Sequence, residues 1–132
     1  MKITVDTNIL VRAATQDDPV QGALAQRLMQ EADLVAIALP SLCEFCWVLL
    51  RLYKFPASRV ADALRVLIEA ENVRLDRQAV EAGLAILDAG GDFADGVIAH
   101  EGQWLGGETF MSFDQKAIRL LQARGEAAEI PT

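Results

Sequence analysis

Positive charge is scarce in this chain: twelve lysines and arginines stand against nineteen aspartates and glutamates, for a net charge of −7. A protein that holds nucleic acid by its overall charge has the opposite balance, so any polyanionic partner needs metal ions, local arginines or a separate basic partner. Long apolar runs are missing too. The longest, such as Leu34 to Leu39 and Phe45 to Leu50, fall far short of the roughly 20 residues that span a bilayer, and Met1-Lys2-Ile3-Thr4-Val5-Asp6 turns polar too early for a signal peptide. A soluble, cytoplasmic protein without membrane contact is the expectation.

Cysteine and histidine are nearly absent. Cys43 and Cys46 form a C-x-x-C, but no Pro or Gly lies between them and no second pair completes a zinc site. Two small apolar residues buried on a helix are the better reading than a redox pair. His100 is the sole histidine. What the chain does hold is apolar mass, 52% of 132 residues, enough for the core of one domain spanning residues 1–132.

Short β-prone runs alternate with helical patterns. Ile3 to Val5, Leu34 to Leu39, Val73 to Leu75, Thr109 to Phe113 and Ala127 to Ile130 are the candidate strands. Asp18-Pro19 opens a helix with Val20, Leu24 and Leu28 on one face, and Pro40-Ser41 opens another running to about Tyr53. Pro56 starts a third, carrying Val60, Leu64, Leu67 and Ile68, and a fourth with Val80, Leu84 and Leu87 closes at Gly90-Gly91. Asp92 to Trp104 and Gln115 to Arg124 are the last helices. This order predicts an α/β fold, a mostly parallel sheet of four to five short strands covered by helices.

Four acids fall where strands give way to helices: Asp6, Glu44, Asp95 and Asp114. Three of them, and their neighbour Asp92, have a structural alternative. Ser41-x-x-Glu44 reads as a capping box, Asp92 and Asp114 as N-caps, and Asp95 as a first-turn acid that suits the helix dipole. Asp6, heading the polar Thr7-Asn8, is hardest to explain away. In open parallel sheets ligands sit beyond the carboxyl ends of the strands. Carboxylates gathered there repel one another by about 4 kcal/mol per close pair at an effective dielectric near 20. Read as a set, the acids point to one divalent cation site.

Four segments then carry a resemblance. Val5-Asp6-Thr7-Asn8-Ile9-Leu10, Leu42-Cys43-Glu44-Phe45-Cys46-Trp47, Asp92-Phe93-Ala94-Asp95-Gly96-Val97 and Ser112-Phe113-Asp114-Gln115-Lys116 are similar, in order, to the motifs of PIN-domain ribonucleases, and nearest to the VapC toxins of toxin–antitoxin pairs. The resemblance implies a three-layer α/β/α sandwich and a metal-dependent endoribonuclease. It implies that Asp6, Glu44, Asp95 and Asp114 bind one or two Mg²⁺ or Mn²⁺ ions, supported by Thr7, Asn8, Asp92 and Ser112. An antitoxin partner, and a homodimer or higher oligomer, are implied as well. Gly96 departs from the resemblance, since an alanine is more usual there.

Arg51, two helical turns beyond Glu44, and Lys116 and Arg119 in the last helix are candidates for RNA phosphate contact, although solvated surface side chains would look the same. The helix after Pro56, with the one before it, is the expected partner groove. Trp47, Val48 and Leu49 are expected in the core, and Trp104 at the surface. Two rival functions remain. In a haloacid-dehalogenase-like phosphatase Asp6 would be the nucleophile, but a second aspartate is needed two positions on, where Asn8 stands. In a non-catalytic PIN-like binding module nothing would be cleaved.

Overall fold

The computed structural model describes residues 1–132, which divide into two compact units, Met1–Asp76 and Arg77–Thr132. In the first unit the strands β1 (Lys2–Thr4), β2 (Leu34–Ala36) and β3 (Val73–Arg74) form one parallel sheet in that order. Ile3 lies opposite Val35, and Val35 opposite Val73. Backbone bonds from Val5 to Ala36 and from Ile37 to Arg74 carry the pairing one step past the strands. Parallel neighbours require crossovers, and helices supply them.

Asp6 caps α1 (Thr7–Thr15), a helix whose Leu10 and Val11 are buried. Asp18 caps α2 (Pro19–Glu31) by accepting from the Gln21 amide, with Pro19 in the first turn where its missing N–H costs nothing. The apolar stripe expected of α2 is not its buried face. Val20 is 70% and Leu24 57% exposed, whereas Gly22 and Ala25 are buried, because α2 meets α1 through its small residues. A Cβ on Gly22 would collide with the Gln16 side chain.

The helix α3 (Leu39–Arg51) starts before Ser41, with Ala38 at its N-cap and Pro40 in its first turn. The expected capping box is therefore absent: the Ser41 amide donates to the Ala38 carbonyl, and Glu44 is an exposed residue of the helix body. Leu42, Phe45, Cys46 and Leu49 are buried, but Trp47 is 56% exposed and not core. On α4 (Ala57–Glu69), begun by Pro56, Val60, Ala61 and Leu64 are buried.

In the second unit α5 (Arg77–Asp88) packs along α6 (Phe93–Trp104). Gly90, at a φ of 97°, ends α5 while the Gly91 amide bonds the Ile86 carbonyl, a stop that suits glycine. The two helices approach closely because of two further glycines. A Cβ on Gly83 would meet the Phe93 ring at 2.7 Å, and one on Gly96 would meet the Gly83 Cα at 2.7 Å. Strands β4 (Phe110–Met111) and β5 (Ala128–Glu129) pair in parallel around α7 (Gln115–Ala123). Ile86, Ala99, Ile118, Leu121 and Ala128 form the core of this unit.

The five short strands fall into a three-stranded and a two-stranded sheet, each parallel within itself, compatible with an α/β/α sandwich. No helix is long and apolar enough to cross a membrane.

Candidate functional site

The first unit holds Asp6 and Glu44. Asp6 leaves β1 in extended conformation, and one carboxylate oxygen, Oδ1, accepts from the Thr7 amide at 2.7 Å. The sequence assigned Asp6 no cap, yet the structure gives it one, so cap and ligand are not exclusive roles here. Thr7 is buried, while Asn8 lines an open cleft of about 360 Å³ with Ile9, Arg12, Gln21 and Leu24. Arg12 is fixed there by three partners: its Nε donates to Gln21, and its Nη1 to Asp17 and to the Tyr53 hydroxyl. Glu44 and Arg51 are both exposed on α3, and with the capping box gone Glu44 has no helix-capping duty.

The second unit holds Asp92, Asp95 and Asp114. Asp92 stands at the N-cap of α6, but its side chain makes no cap bond. Asp95 lies in the first turn of that helix, half-buried. Burial lifts its pKa above the ordinary 3.8, and the negative charges of Asp92 and then Asp114 lift it further. These carboxylates are close enough to feel one another.

Asp114 has a double role in its own segment. Its Oδ1 accepts from the Ala117 amide at 3.1 Å, capping α7, and its own amide donates to the Ser112 hydroxyl at 3.0 Å. Ser112 thus fixes the backbone from which Asp114 projects. Lys116 and Arg119 are exposed on the same helix.

The donor chemistry suits a hard cation: carboxylate oxygens, an Asn amide and hydroxyls, with like-charge crowding at Asp95 that a divalent ion would relieve. No group of three His, Cys, Asp or Glu side chains is drawn tightly enough to enclose an ion. The residues match a hard cation by donor type alone, and no closed shell is formed.

No disulfide joins Cys43 and Cys46, and burial, with a lesser push from Cys43, drives the Cys46 thiol up to about 12. A thiol that resists ionisation is a poor redox nucleophile. The His100 Nε2 accepts from the Trp104 indole at 3.1 Å, which occupies the lone pair a general base would use.

The sequence reading missed the Arg12, Asp17 and Tyr53 linkage, whose members are too far apart in the chain for any spacing rule to join. A cleft of about 470 Å³ lies between α4 and the pair α1 and α2, with Leu10, Met29, Val66 and Leu67 in its walls and Phe45 the one contribution from α3.

Comparison with known proteins adds a family. A family model described as PIN domain matches residues 3–121, a span that includes Asp6, Glu44, Asp95 and Asp114 and runs through both units. No curated protein matches the chain.

Proposed function

Because the chain belongs to the PIN-domain family, whose members are typically metal-dependent nucleases, we propose that it is an endoribonuclease that hydrolyses RNA phosphodiester bonds with Mg²⁺ or Mn²⁺. Membership does not favour the phosphatase or the non-catalytic module. The observation that carries the reading is the family match over residues 3–121, with the four acids in order inside it. We take the two units together as one nuclease domain, since the match runs through both.

In this proposal Asp6 and Asp95 hold one or two divalent ions directly, and Asp114 and Glu44 hold them directly or through water. A bound ion supplies a water of lowered pKa and neutralises charge on the phosphate. The remaining work falls to the protein. Asn8 orients a carboxylate or a water, Thr7 and Ser112 hold Asp6 and Asp114 in place, and Asp92 adds negative charge beside Asp95. Arg51, Lys116 and Arg119 meet the RNA backbone, locally offsetting a net charge of −7.

The test incubates purified protein with structured and single-stranded RNAs, in Mg²⁺ or Mn²⁺ against chelator, beside Asp6→Ala. Without metal-dependent cleavage that Asp6→Ala abolishes, the enzyme reading fails.

The finer reading is that the chain is the toxin of a type II toxin–antitoxin pair, of the VapC kind, acting in the cytoplasm as a homodimer or higher oligomer. The apolar cleft along α4, with Leu10, Met29, Val66 and Leu67 in its walls, supports it as a seat for an amphipathic segment of an antitoxin. Growth arrest on expression, relieved by co-expressing a small protein encoded directly upstream, is the expected result. Growth unaffected by expression of an enzyme active in vitro would remove the toxin role.

A further inference from the structure

We propose that the corner joining α3 to α4 is a docking surface for the sugar–phosphate backbone of RNA beyond the cut, with Lys54 and Arg59 as its anchors. That the polyanion is RNA rests on the nuclease reading above; the surface rests on the chain's own structure.

Between Glu44 and Asp62 the chain has no acid, yet it carries Arg51, Lys54 and Arg59. All three are exposed, and no carboxylate pairs with any of them, whereas Arg12, Arg65 and Arg77 each have an acidic partner. In a chain of net charge −7 this is a local excess of positive charge. Asp17, the carboxylate that Tyr53 brings to the corner, is already held by that hydroxyl, by Thr15 and by Arg12.

The corner is ordered before any ligand arrives. The Tyr53 amide donates to the Val48 carbonyl and the Phe55 amide to the Leu49 carbonyl, so the chain is tied back onto the end of α3. The Tyr53 and Phe55 rings meet edge to face with centroids 6.0 Å apart, and the Arg59 guanidinium carbon lies 3.9 Å from the Phe55 centroid. A guanidinium laid on a ring keeps its N–H edge for a phosphate, and the contact reduces the freedom it would lose on binding. Lys54, between the two aromatic residues in sequence, holds a φ of 57°, a left-handed conformation that glycine or asparagine enters more cheaply. The backbone gains nothing from a lysine here, so its side chain is what needs a role.

Position selects the occupant. Arg51 lies two turns beyond Glu44, about 10 Å along the same face of α3, and both are exposed. RNA cut at an ion held in part by Glu44 therefore brings its neighbouring phosphates past Arg51 to the corner. A backbone with one charge at every nucleotide suits exposed, spaced cations, and such contacts read neither base sequence nor pairing. Leu52, 64% exposed beside them, makes an acidic protein the rival that the test must separate.

The test measures fluorescence anisotropy of labelled RNA, as two single strands of unrelated sequence and as a blunt duplex, across a KCl series in EDTA and again in Ca²⁺. Wild type is compared with Lys54→Gly, Lys54→Arg, Arg59→Gln, the double variant Lys54→Gly/Arg59→Gln, and Arg27→Gln on α2, which changes net charge equally. Thermal melting follows folding, and Lys54→Gly should melt close to wild type, because relief of the left-handed position offsets the freedom that glycine gives the unfolded chain. Lys54→Gly and Arg59→Gln should each weaken binding by about three- to tenfold at low salt, alike for both sequences. Each should also lower the slope of log affinity against log salt by about 0.7 on a single strand and about 0.9 on the duplex, and the double variant by about twice as much. Lys54→Arg and Arg27→Gln should match wild type. Polyglutamate of matched charge should compete far less well than unlabelled RNA.

The surface is overturned if wild type binds no RNA in either buffer, if the double variant keeps the wild-type slope, or if Arg27→Gln loses as much as Lys54→Gly. It is also overturned if the loss is confined to one base sequence, or if polyglutamate competes as well as RNA and the double variant abolishes that competition, which would make the corner an acidic-protein site. Cleavage is scored separately: RNA bound with these losses but never cut removes the nuclease and leaves the surface, and metal-dependent cleavage with equal binding by all variants does the reverse.

Discussion

The two units treat their acids differently. In Met1–Asp76, Asp6 is tied to the Thr7 amide and Glu44 stands exposed on a helix, each part of an ordered parallel sheet and its crossovers. In Arg77–Thr132 the half-buried Asp95 has its pKa raised, first by burial and then by the charges of Asp92 and Asp114. A carboxylate that is buried beside like charges lowers the stability of the structure that holds it, so Asp95 carries an electrostatic cost.

The largest expected effect falls equally on both units. Asp6→Ala and Asp95→Asn should each reduce metal-dependent RNA cleavage by about a hundredfold or more, as removal of a group that stabilises developing charge does. Cleavage rates with saturating Mn²⁺ check this. If one of the two variants keeps wild-type rates, the acids of that unit do not belong to the site.

Next in size is a packing effect confined to the second unit. Gly96 departs from the residue usual in the family resemblance, and the structure explains why: a Cβ there would strike the Ala82 carbonyl and the Gly83 Cα. These are backbone atoms that cannot swing aside. Gly96→Ala should destabilise the protein by about 1–3 kcal/mol through overpacking of α5 on α6, read as a lower urea midpoint at unchanged slope. An unchanged midpoint would show that the helices can separate freely.

A smaller pair of effects separates capping from catalysis at Asp114. Asn caps a helix as well as Asp does, so Asp114→Asn should keep stability, while Asp114→Ala should lose about 1 kcal/mol. Both should lose cleavage. Equal melting of the two variants would mean that the bond to the Ala117 amide contributes nothing.

Much of this was legible in the sequence where the signal is local. Asp18-Pro19, Gly90-Gly91 and Asp114 act on backbone groups within five residues, and each ends or begins a helix as expected. Failures came where tertiary contact overrides pattern. Val20 and Leu24 have helical spacing, but α2 needs small residues toward α1, so Gly22 and Ala25 turn inward instead. Helix α3 is apolar almost all round, which leaves periodicity unable to tell Trp47 from Phe45. Pro40 took the first turn, so the helix starts ahead of Ser41. The acids of the candidate site were visible as residues at strand and helix junctions; the crowding of Asp95 was not, because it arises from Asp92 and Asp114 in space.

The burial of Asp95, with the charges of Asp92 and Asp114 beside it, predicts a modest shift in stability with a definite sign. The folded-state pKa of Asp95 lies above its ordinary 3.8, so the folded protein holds this proton more tightly than the unfolded chain. The resulting stability is present below 3.8 and is lost as pH rises through the folded value, leaving a penalty at neutral pH. Asp95→Asn should therefore stabilise the metal-free protein at pH 7, by less than about 1 kcal/mol after allowance for solvent screening. It should also flatten the pH dependence in that window. Added Mg²⁺ should raise the melting temperature of wild type more than that of the variant. A destabilised Asp95→Asn would mean that the carboxylate is favoured where it stands.

The smallest effect returns to the first unit and to a carboxylate with the opposite sign. Asp17 is held below 3.8, first by the Tyr53 hydroxyl, then by the Thr15 hydroxyl, with Arg12 adding its charge. Its contribution is present above 3.8 and is lost as pH falls through the folded value. Tyr53→Phe removes the first of these donors, so the Asp17 carboxyl should titrate closer to 3.8. Carbon-detected NMR of the Asp17 carboxyl reads this directly. Because Asp17 is exposed to solvent, melting at neutral pH should barely move. A large loss of stability in Tyr53→Phe would instead make the Arg12, Asp17 and Tyr53 linkage a structural clamp on α1, and the contrast of a relaxed first unit with a strained second one would no longer hold.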